Sequence, residues 1–251
     1  MRVFSLWLLQ CHFPLIAGLH HIIMIVVDDV GSADLPFSAE YPEKTALPLT
    51  AHAEISSLAA ASTVMRNYYT QPMCSPSRAA LFTGRYPIRY GLQDHVIETD
   101  QDYGLFLNET VLPQILKRAG YATHAVGKWH LGFAAHEYTP TFRGFDSFFG
   151  YYGDAEDYFS HANNPDASKK DVPNPGIGYD LRWDSRPFCG AACSLSVARN
   201  YSGVYSTELF GQKAVEVVEK HALDGGPLFL YLAFQAAHAP AEVPGNYIDM
   251  F

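Results

Sequence analysis

The sequence is short of basic residues and of long apolar runs. Its 251 residues include 17 lysines and arginines against 26 aspartates and glutamates, which gives a formal net charge of −9. Because the chain has no basic stripe, its composition argues against nucleic acid as a partner, although a locally positive site for an anion stays open. No apolar run reaches the length of a membrane span, so we predict no transmembrane segment.

Cysteine is also scarce, with four residues in the whole chain: Cys11, Cys74, Cys189 and Cys193. Cys189 and Cys193 are close enough for a small disulfide loop, but spacing alone leaves their pairing open. The hydrophobic content of 48% is that of a globular protein, and the length fits one large domain or a piece of a larger one.

Targeting signals at the N-terminus are weak. Residues 1–18 resemble a short signal peptide, with Arg2 before an apolar stretch that polar residues interrupt; a cytosolic start is the alternative. Asn108 and Asn200 begin glycosylation sequons, which matter only in a secretory protein. We therefore predict a lysosomal or secreted protein whose catalytic domain occupies residues 19–251.

Apolar runs alternate with helix-like segments along the chain. The predicted strand at 22–27 is an unbroken apolar run, and the predicted helix at 110–119 has an apolar stripe and ends at Gly120. The alternation predicts an α/β fold, with a mainly parallel sheet and helices on both faces. The predicted strands are 22–27, 121–126 and 228–234, and the predicted helices are 51–64, 110–119 and 206–222.

Some details of these elements can be tested directly. The unbroken apolar run at 22–27 predicts a fully buried parallel strand. Ile55 and Leu58 should lie on the buried face of the first helix, and Asn108 should cap the second. Residues 163–187 are polar and rich in proline and glycine, which predicts a surface loop.

One stretch organises the whole sequence: residues 74–85 read C-S-P-S-R-A-A-L-F-T-G-R. Pro76 suits the first turn of a helix and Gly84 suits its end, so the pattern places Cys74 and Arg78 near a helix N-terminus, where an anion is favoured. A thiol there could also be a nucleophile of low pKa. The stretch resembles the signature of the sulfatase family, in which this cysteine is oxidised to Cα-formylglycine.

Polar side chains follow the predicted strands at the edge where such sheets bind ligands. Asp28 and Asp29 come after the first strand; they suit a hard cation such as Ca²⁺, although alone they could form an ordinary turn. Lys128 and His130 follow the second strand, where they could bind a sulfate oxygen and move a proton, or serve as a surface lysine and a structural histidine. His238 follows the last strand.

The resemblance extends over essentially the whole chain and is nearest to the arylsulfatase B-like branch. Further segments match in the same order as in the family: Gly127 to Gly132, Arg143 to Asp146, Phe148 to Tyr151, Glu156 to His161, and Gln235 to Pro240. It implies an alkaline phosphatase/sulfatase-like fold and hydrolysis of a sulfated carbohydrate or aryl sulfate ester. It also implies the formylglycine-generating enzyme as a partner.

Residue roles follow from the resemblance position by position. Asp28, Asp29 and the modified Cys74 would bind calcium. Arg78 would hold the formylglycine hydrate. His130 would act as the base that collapses the sulfated intermediate, and Lys128 and His238 would contact the sulfate.

One departure from the family is clear. The resemblance implies a further Asp-Asn metal pair and another lysine beyond His238, but the chain contains no Asp-Asn dipeptide and no lysine after Lys220. We therefore expect the N-terminal part of a sulfatase, truncated at the C-terminus. The alternatives are a non-catalytic sulfatase-like protein and a metal-dependent phosphatase; the latter usually has serine or threonine at the position of Cys74.

Overall fold

The computed structural model describes residues 19–31, 34–35, 53–163, 178–185 and 196–248. The strands are β1 (Ile22–Val27), β2 (Ala122–Lys128), β3 (Ser147–Tyr151), β4 (Ala162–Asn163), β5 (Gly178–Tyr179), β6 (Arg182–Ser185), β7 (Ser196–Val197) and β8 (Leu228–Phe234). The helices are α1 (Ala53–Ala60), α2 (Cys74–Thr83), α3 (Leu112–Arg118), α4 (Ser206–Asp224) and the short α5 (Gly245–Ile248).

Among the described residues, a six-stranded sheet with the order β1-β8-β2-β3-β6-β7 forms the centre of the fold. The first four strands in that order run parallel, whereas β6 and β7 are added antiparallel at the far side. The predicted α/β class with a mainly parallel sheet is confirmed.

Helices cover both faces of this sheet, as predicted. Successive side chains of a strand point to opposite faces, so β8 contributes to two separate cores. Phe229, Tyr231 and Ala233 pack with residues of α2 and α3. Leu228, Leu230 and Leu232 pack with Leu209, Phe210 and Ala214 of α4.

Strand β1 has the predicted bounds, but the prediction that it is fully buried was wrong. It lies at the edge of the sheet and pairs with β8, and one of its faces packs on the α2 side. On the other face Ile23, Ile25 and Val27 are 51%, 55% and 44% exposed. An unbroken apolar run could not reveal this position, because α4 covers the neighbouring strands but leaves β1 uncovered.

The helix containing the signature begins at Cys74 and ends at Thr83, as the sequence predicts. Gly84 adopts the left-handed conformation, with φ of 66°, and its N–H binds the carbonyl of Ala80. The prediction for the next helix was partly wrong, because α3 begins at Leu112 and Asn108 does not cap it. Instead, the side chain of Gln114 accepts a hydrogen bond from the N–H of Val111.

The other two predicted helices differ from their predicted bounds: one is shorter than predicted and the other is longer. Helix α1 ends at Ala60, earlier than predicted, and its stripe is not buried, since Ile55 and Leu58 are 45% and 64% exposed. Helix α4 begins at Ser206 as expected and continues to Asp224, where Gly225 follows. Its buried residues face β8, so tertiary packing supports the longer helix.

The stretch predicted as a surface loop contains secondary structure in its described part. Residues 178–185 include β5 and β6, and β6 extends the main sheet through β3. The candidate signal peptide at residues 1–18, and Cys11, Cys189 and Cys193, lie outside the described residues. Within the described ranges, no helix is both long enough and apolar enough to cross a membrane.

Candidate active site

The candidate site lies where β1, β2 and β8 end. Asp28 follows β1, Lys128 is the last residue of β2, and His238 lies four residues beyond β8. The backbone of Asp28 pairs with the segment after β8, through Asp28 N–H to Ala236 O at 3.0 Å and Ala237 N–H to Asp28 O at 2.7 Å. The structure therefore brings together polar residues that are far apart in the sequence, as predicted for the carboxyl edge of a parallel sheet.

Asp28 forms a buried cluster with two cations. Its Oδ2 atom lies 2.6 Å from Nζ of Lys128 and 3.4 Å from Nη2 of Arg78. Burial raises the pKa of Asp28, but the charges of Arg78 and Lys128 outweigh that effect and lower the pKa to about 2. Two cations and one carboxylate leave a net positive charge in a buried site, and such a site favours an anion.

Arg78 is held in place by two strands. Its Nη1 donates to the carbonyl of Lys128 at 2.9 Å and to the hydroxyl of Tyr231 at 3.0 Å. Its Nη2 is buried and has no hydrogen-bond acceptor among the described residues, apart from the looser ion pair with Asp28. This nitrogen is therefore a donor that a bound group could use.

Cys74 is the first residue of α2 and contacts Asp28. Its Sγ lies 3.5 Å and 3.8 Å from the two carboxylate oxygens. Burial raises the pKa of the Cys74 thiol, and Asp28 raises it further, while the charge of Lys128 opposes both. The alternative of a low-pKa thiolate nucleophile was therefore wrong, because the thiol stays protonated at neutral pH.

His130 is buried and carries its proton on a defined nitrogen. Its Nε2 lies 3.0 Å from the carbonyl of Ile97, which can only accept, so Nε2 must donate. Nδ1 is buried without a hydrogen-bond partner in the described part of the chain. Burial and the charges of Lys128 and Arg78 lower the pKa of His130 well below its usual value, so Nδ1 is a free base at neutral pH.

His238 lies at the mouth of the site and is partly exposed. Its Nδ1 donates to the carbonyl of Ala239 at 2.7 Å, which leaves Nε2 3.7 Å from the carboxylate of Asp29. The ligand atoms of Asp28, Cys74 and His238 all lie within 4.8 Å of one another. Asp29 is on the outer side of this cluster, with its side chain 60% exposed.

The side chains of the site include the type of ligand atom that a hard cation prefers. Asp28 and Asp29 supply carboxylate oxygens, which calcium prefers. The sulfur of unmodified Cys74 is a soft ligand, whereas an oxidised side chain at this position would present oxygen instead. Calcium takes about six to eight oxygen ligands, so water or further groups would have to complete the shell.

Sequence reasoning missed the groups that orient the site residues. The hydroxyl of Tyr231 and the carbonyl of Ile97 fix Arg78 and His130. Tyr231 offers a weak signal in the sequence, because its side chain carries a hydroxyl within an otherwise apolar strand. A backbone carbonyl offers none, because every residue has one.

Comparisons with known proteins identify the family of this chain. The family model named Sulfatase matches residues 20–251. The chain belongs to the sulfatase family. Arylsulfatase J of Mus musculus is 37% identical over 233 residues, which cover 92% of this chain and 34% of that sulfatase. N-acetylgalactosamine-6-sulfatase of the same species is 31% identical over 236 residues, covering 91% of this chain and 42% of the relative.

A solved structure confirms the sulfatase-like fold. The crystal structure of Ps i-CgsB in complex with k-i-k-neocarrahexaose matches with a TM-score of 0.74 and 30% identity, covering 92% of this chain and 48% of that one. The chain thus spans between about a third and about half of the length of these relatives.

Proposed function

We propose that this chain supplies most of the active site of a sulfuric ester hydrolase whose nucleophile is a formylglycine formed at Cys74. One observation carries the proposal: the buried cations Arg78 and Lys128 converge with Asp28 beside Cys74 at the start of α2. A sulfate ester is an anion, and the net positive charge of this cluster would attract it. Because burial keeps the unmodified thiol protonated, oxidation of Cys74 would supply what the thiol lacks.

Asp28, Asp29 and the modified Cys74 would hold a calcium ion. The hydrated aldehyde would supply the attacking oxygen, and calcium would offset negative charge on the sulfate. Arg78 would hold the modified side chain through its free Nη2 donor. Because Tyr231 and the β2 backbone already fix the guanidinium, this donor is oriented before substrate binds.

The remaining residues would bind sulfate and move a proton. Lys128 and His238 would contact sulfate oxygens, with the Lys128 ammonium shared between the substrate and Asp28. His130 would accept a proton on Nδ1, since Nε2 is committed to the carbonyl of Ile97. Its lowered pKa keeps this base unprotonated in mildly acidic solution.

The substrate would be a sulfated carbohydrate or an aryl sulfate ester. The names of the relatives support this class, since one is an N-acetylgalactosamine-6-sulfatase and another an arylsulfatase. Lysosomal or secreted residence fits Asn108 and Asn200, which are both exposed and so accessible to glycosylation. The formylglycine-generating enzyme would be the partner that modifies Cys74.

Co-expression with the formylglycine-generating enzyme tests the proposal. Peptide mass spectrometry should show conversion of Cys74 to an aldehyde, with a Cys74→Ala variant as the control. Hydrolysis of a chromogenic aryl sulfate should then be compared between this chain and the chain extended by downstream coding sequence. We expect turnover in the extended form, and little or none in this chain, which lacks the expected Asp-Asn pair and second lysine.

Three results would count against parts of this proposal. A thiol that persists at Cys74 would contradict formylglycine as the nucleophile. Aldehyde formation without turnover in either form would instead favour the non-catalytic alternative. Equal turnover in both forms would show that the residues present here suffice.

A further inference from the structure

The segment that carries His238 is a turn over the mouth of the site. It follows β8, and its beginning is bound to the site by the two backbone hydrogen bonds between Asp28 and residues 236–237. Within the turn, His238 N–H binds the carbonyl of Gln235 at 3.0 Å, and the carbonyl of His238 accepts from Ala241 N–H at 3.2 Å. These local bonds shape the rest of the turn, but they do not by themselves place His238 relative to Cys74.

Tyr158 ties this turn to the rest of the molecule. Its hydroxyl donates to the carbonyl of His238 at 2.7 Å, across 80 residues of sequence. Tyr158 itself is only 1% exposed, and its ring stacks on Tyr205 with centroids 5.7 Å apart. The hydroxyl is therefore held rigidly at the turn.

The backbone of Tyr158 is fixed on both sides as well. Its carbonyl accepts from Ser206 N–H at 2.8 Å, at the start of α4, and its N–H donates to Glu242 just beyond the turn at 2.9 Å. Two residues earlier, the carbonyl of Glu156 accepts from the buried amide of Gln235. The segment from Glu156 to Tyr158 thus contacts the turn at its beginning, its middle and its end.

We propose that Tyr158 is a positioning residue that holds the His238 imidazole beside Asp28 and Cys74 at the mouth of the site. The hydrogen bond from its hydroxyl to the His238 carbonyl performs this role. The role in sulfate binding rests on the proposed function above, whereas the role in placing His238 does not. In this role Tyr158 would act through His238, whose ligand atom lies within 4.8 Å of those of Asp28 and Cys74.

The test compares Tyr158→Phe with two control variants. Tyr205→Phe removes a hydroxyl from the stacked partner ring, and Tyr179→Phe removes a tyrosine hydroxyl that makes the same type of bond elsewhere, to the carbonyl of Ala198 at 2.6 Å. Imidazole ¹⁵N NMR spectra, with the His238 signals assigned from a His238→Asn variant, report the position of His238 without any need for activity. We expect Tyr158→Phe to shift or broaden the His238 signals, and both controls to leave them close to those of the original chain.

Affinity for inorganic sulfate, measured by calorimetry, supplies the second readout. Loss of one neutral hydrogen bond should weaken sulfate binding by about 3- to 10-fold in Tyr158→Phe. In a His238→Asn background the same substitution should have no further effect, since the two residues act as a unit. A general loss of stability would weaken binding equally in both backgrounds, so this cycle separates positioning from folding.

The outcomes separate the two proposals. If the original chain binds no sulfate but Tyr158→Phe still perturbs His238, then the positioning role stands and the proposed contact of these residues with sulfate fails. Unchanged His238 signals in a folded Tyr158→Phe protein would overturn the positioning role. Equal weakening of sulfate binding with and without His238 would overturn it as well. If Tyr158→Phe does not fold, the comparison is made with Glu242→Gln, which weakens the anchor of the Tyr158 N–H, and the same outcomes apply.

Discussion

Replacing Glu156 with glutamine should make the protein more stable at alkaline pH. Glu156 is fully buried, and its Oε1 lies 3.3 Å from Nδ1 of His161, which is also fully buried. Its other oxygen, Oε2, is buried without a hydrogen-bond partner among the described residues. Because His161 donates from Nε2 to the carbonyl of Tyr201 at 3.0 Å, only its Nδ1 can share a proton with Glu156.

Burial raises the pKa of Glu156 from 4.5 to about 7, although the bond to His161 opposes the shift. The pKa of His161 is also raised, against the effect of burial, by its bond to Glu156. Both groups therefore hold protons more tightly in the folded state than in the unfolded chain, and the pair titrates as a unit. The stabilisation from this protonation is complete below about pH 4.5 and is lost as the pH rises through about 7.

The magnitude follows from the size of the shift. A tenfold change in a protonation equilibrium corresponds to about 1.4 kcal/mol, so ionising Glu156 should cost on the order of 3 kcal/mol by pH 8. Glutamine cannot ionise, but it keeps the shape of the protonated acid. The stability of Glu156→Gln relative to the original chain should therefore rise by that amount between pH 5 and pH 8.

Urea unfolding at several pH values, followed by tryptophan fluorescence, measures this difference. Glu219→Gln, which removes an exposed carboxylate of α4, is the matched control. If the stability of Glu156→Gln falls relative to the original chain as the pH rises, Glu156 is ionised and paired with a charged His161. That result would refute the reasoning.

Three further predictions concern the site and the surface. Lys128→Met should destabilise the chain by about 3–5 kcal/mol in urea unfolding, because only Arg78 would then balance the charge of the buried Asp28 carboxylate. Destabilisation below about 1 kcal/mol would show that Arg78 alone suffices to balance that charge. In an active, aldehyde-bearing form, the acidic limb of the pH profile of kcat should lie below pH 6.5, the usual pKa of histidine, because the pKa of His130 is lowered; a limb above that value would contradict its role as the base. In a eukaryotic secretory host, Asn108→Gln and Asn200→Gln should each increase gel mobility, and endoglycosidase treatment should abolish the difference; variants that migrate like the original chain would show that these sequons are not used.

Much of the fold could be predicted because it depends on local patterns. The apolar runs at Ile22–Val27 and Leu228–Phe234 became strands with the predicted bounds, and Gly84 ended the helix of the signature as expected. Errors arose where a tertiary partner decides the outcome. The stripe of α1 is amphipathic by sequence, yet nothing described covers Ile55 or Leu58.

The candidate site shows the same division. The residue types after each strand, and their meeting at one edge of the sheet, could be predicted because parallel strands end at the same edge. Their partners could not be predicted. The pairing of Lys128 with Asp28 spans 100 residues and depends on β8 lying between their strands.

The sequence by itself determined the class of fold, the family and the set of polar side chains, since periodicity and the signature are properties of neighbouring residues. Only the tertiary structure decided the charge and proton states of those side chains. Asp28 has a low pKa because two cations meet it in a buried place, and the free base of His130 is Nδ1 because the carbonyl of Ile97 takes the other nitrogen. Such states depend on desolvation and on distances of a few ångströms between distant segments, and these exist only once the sheet has assembled.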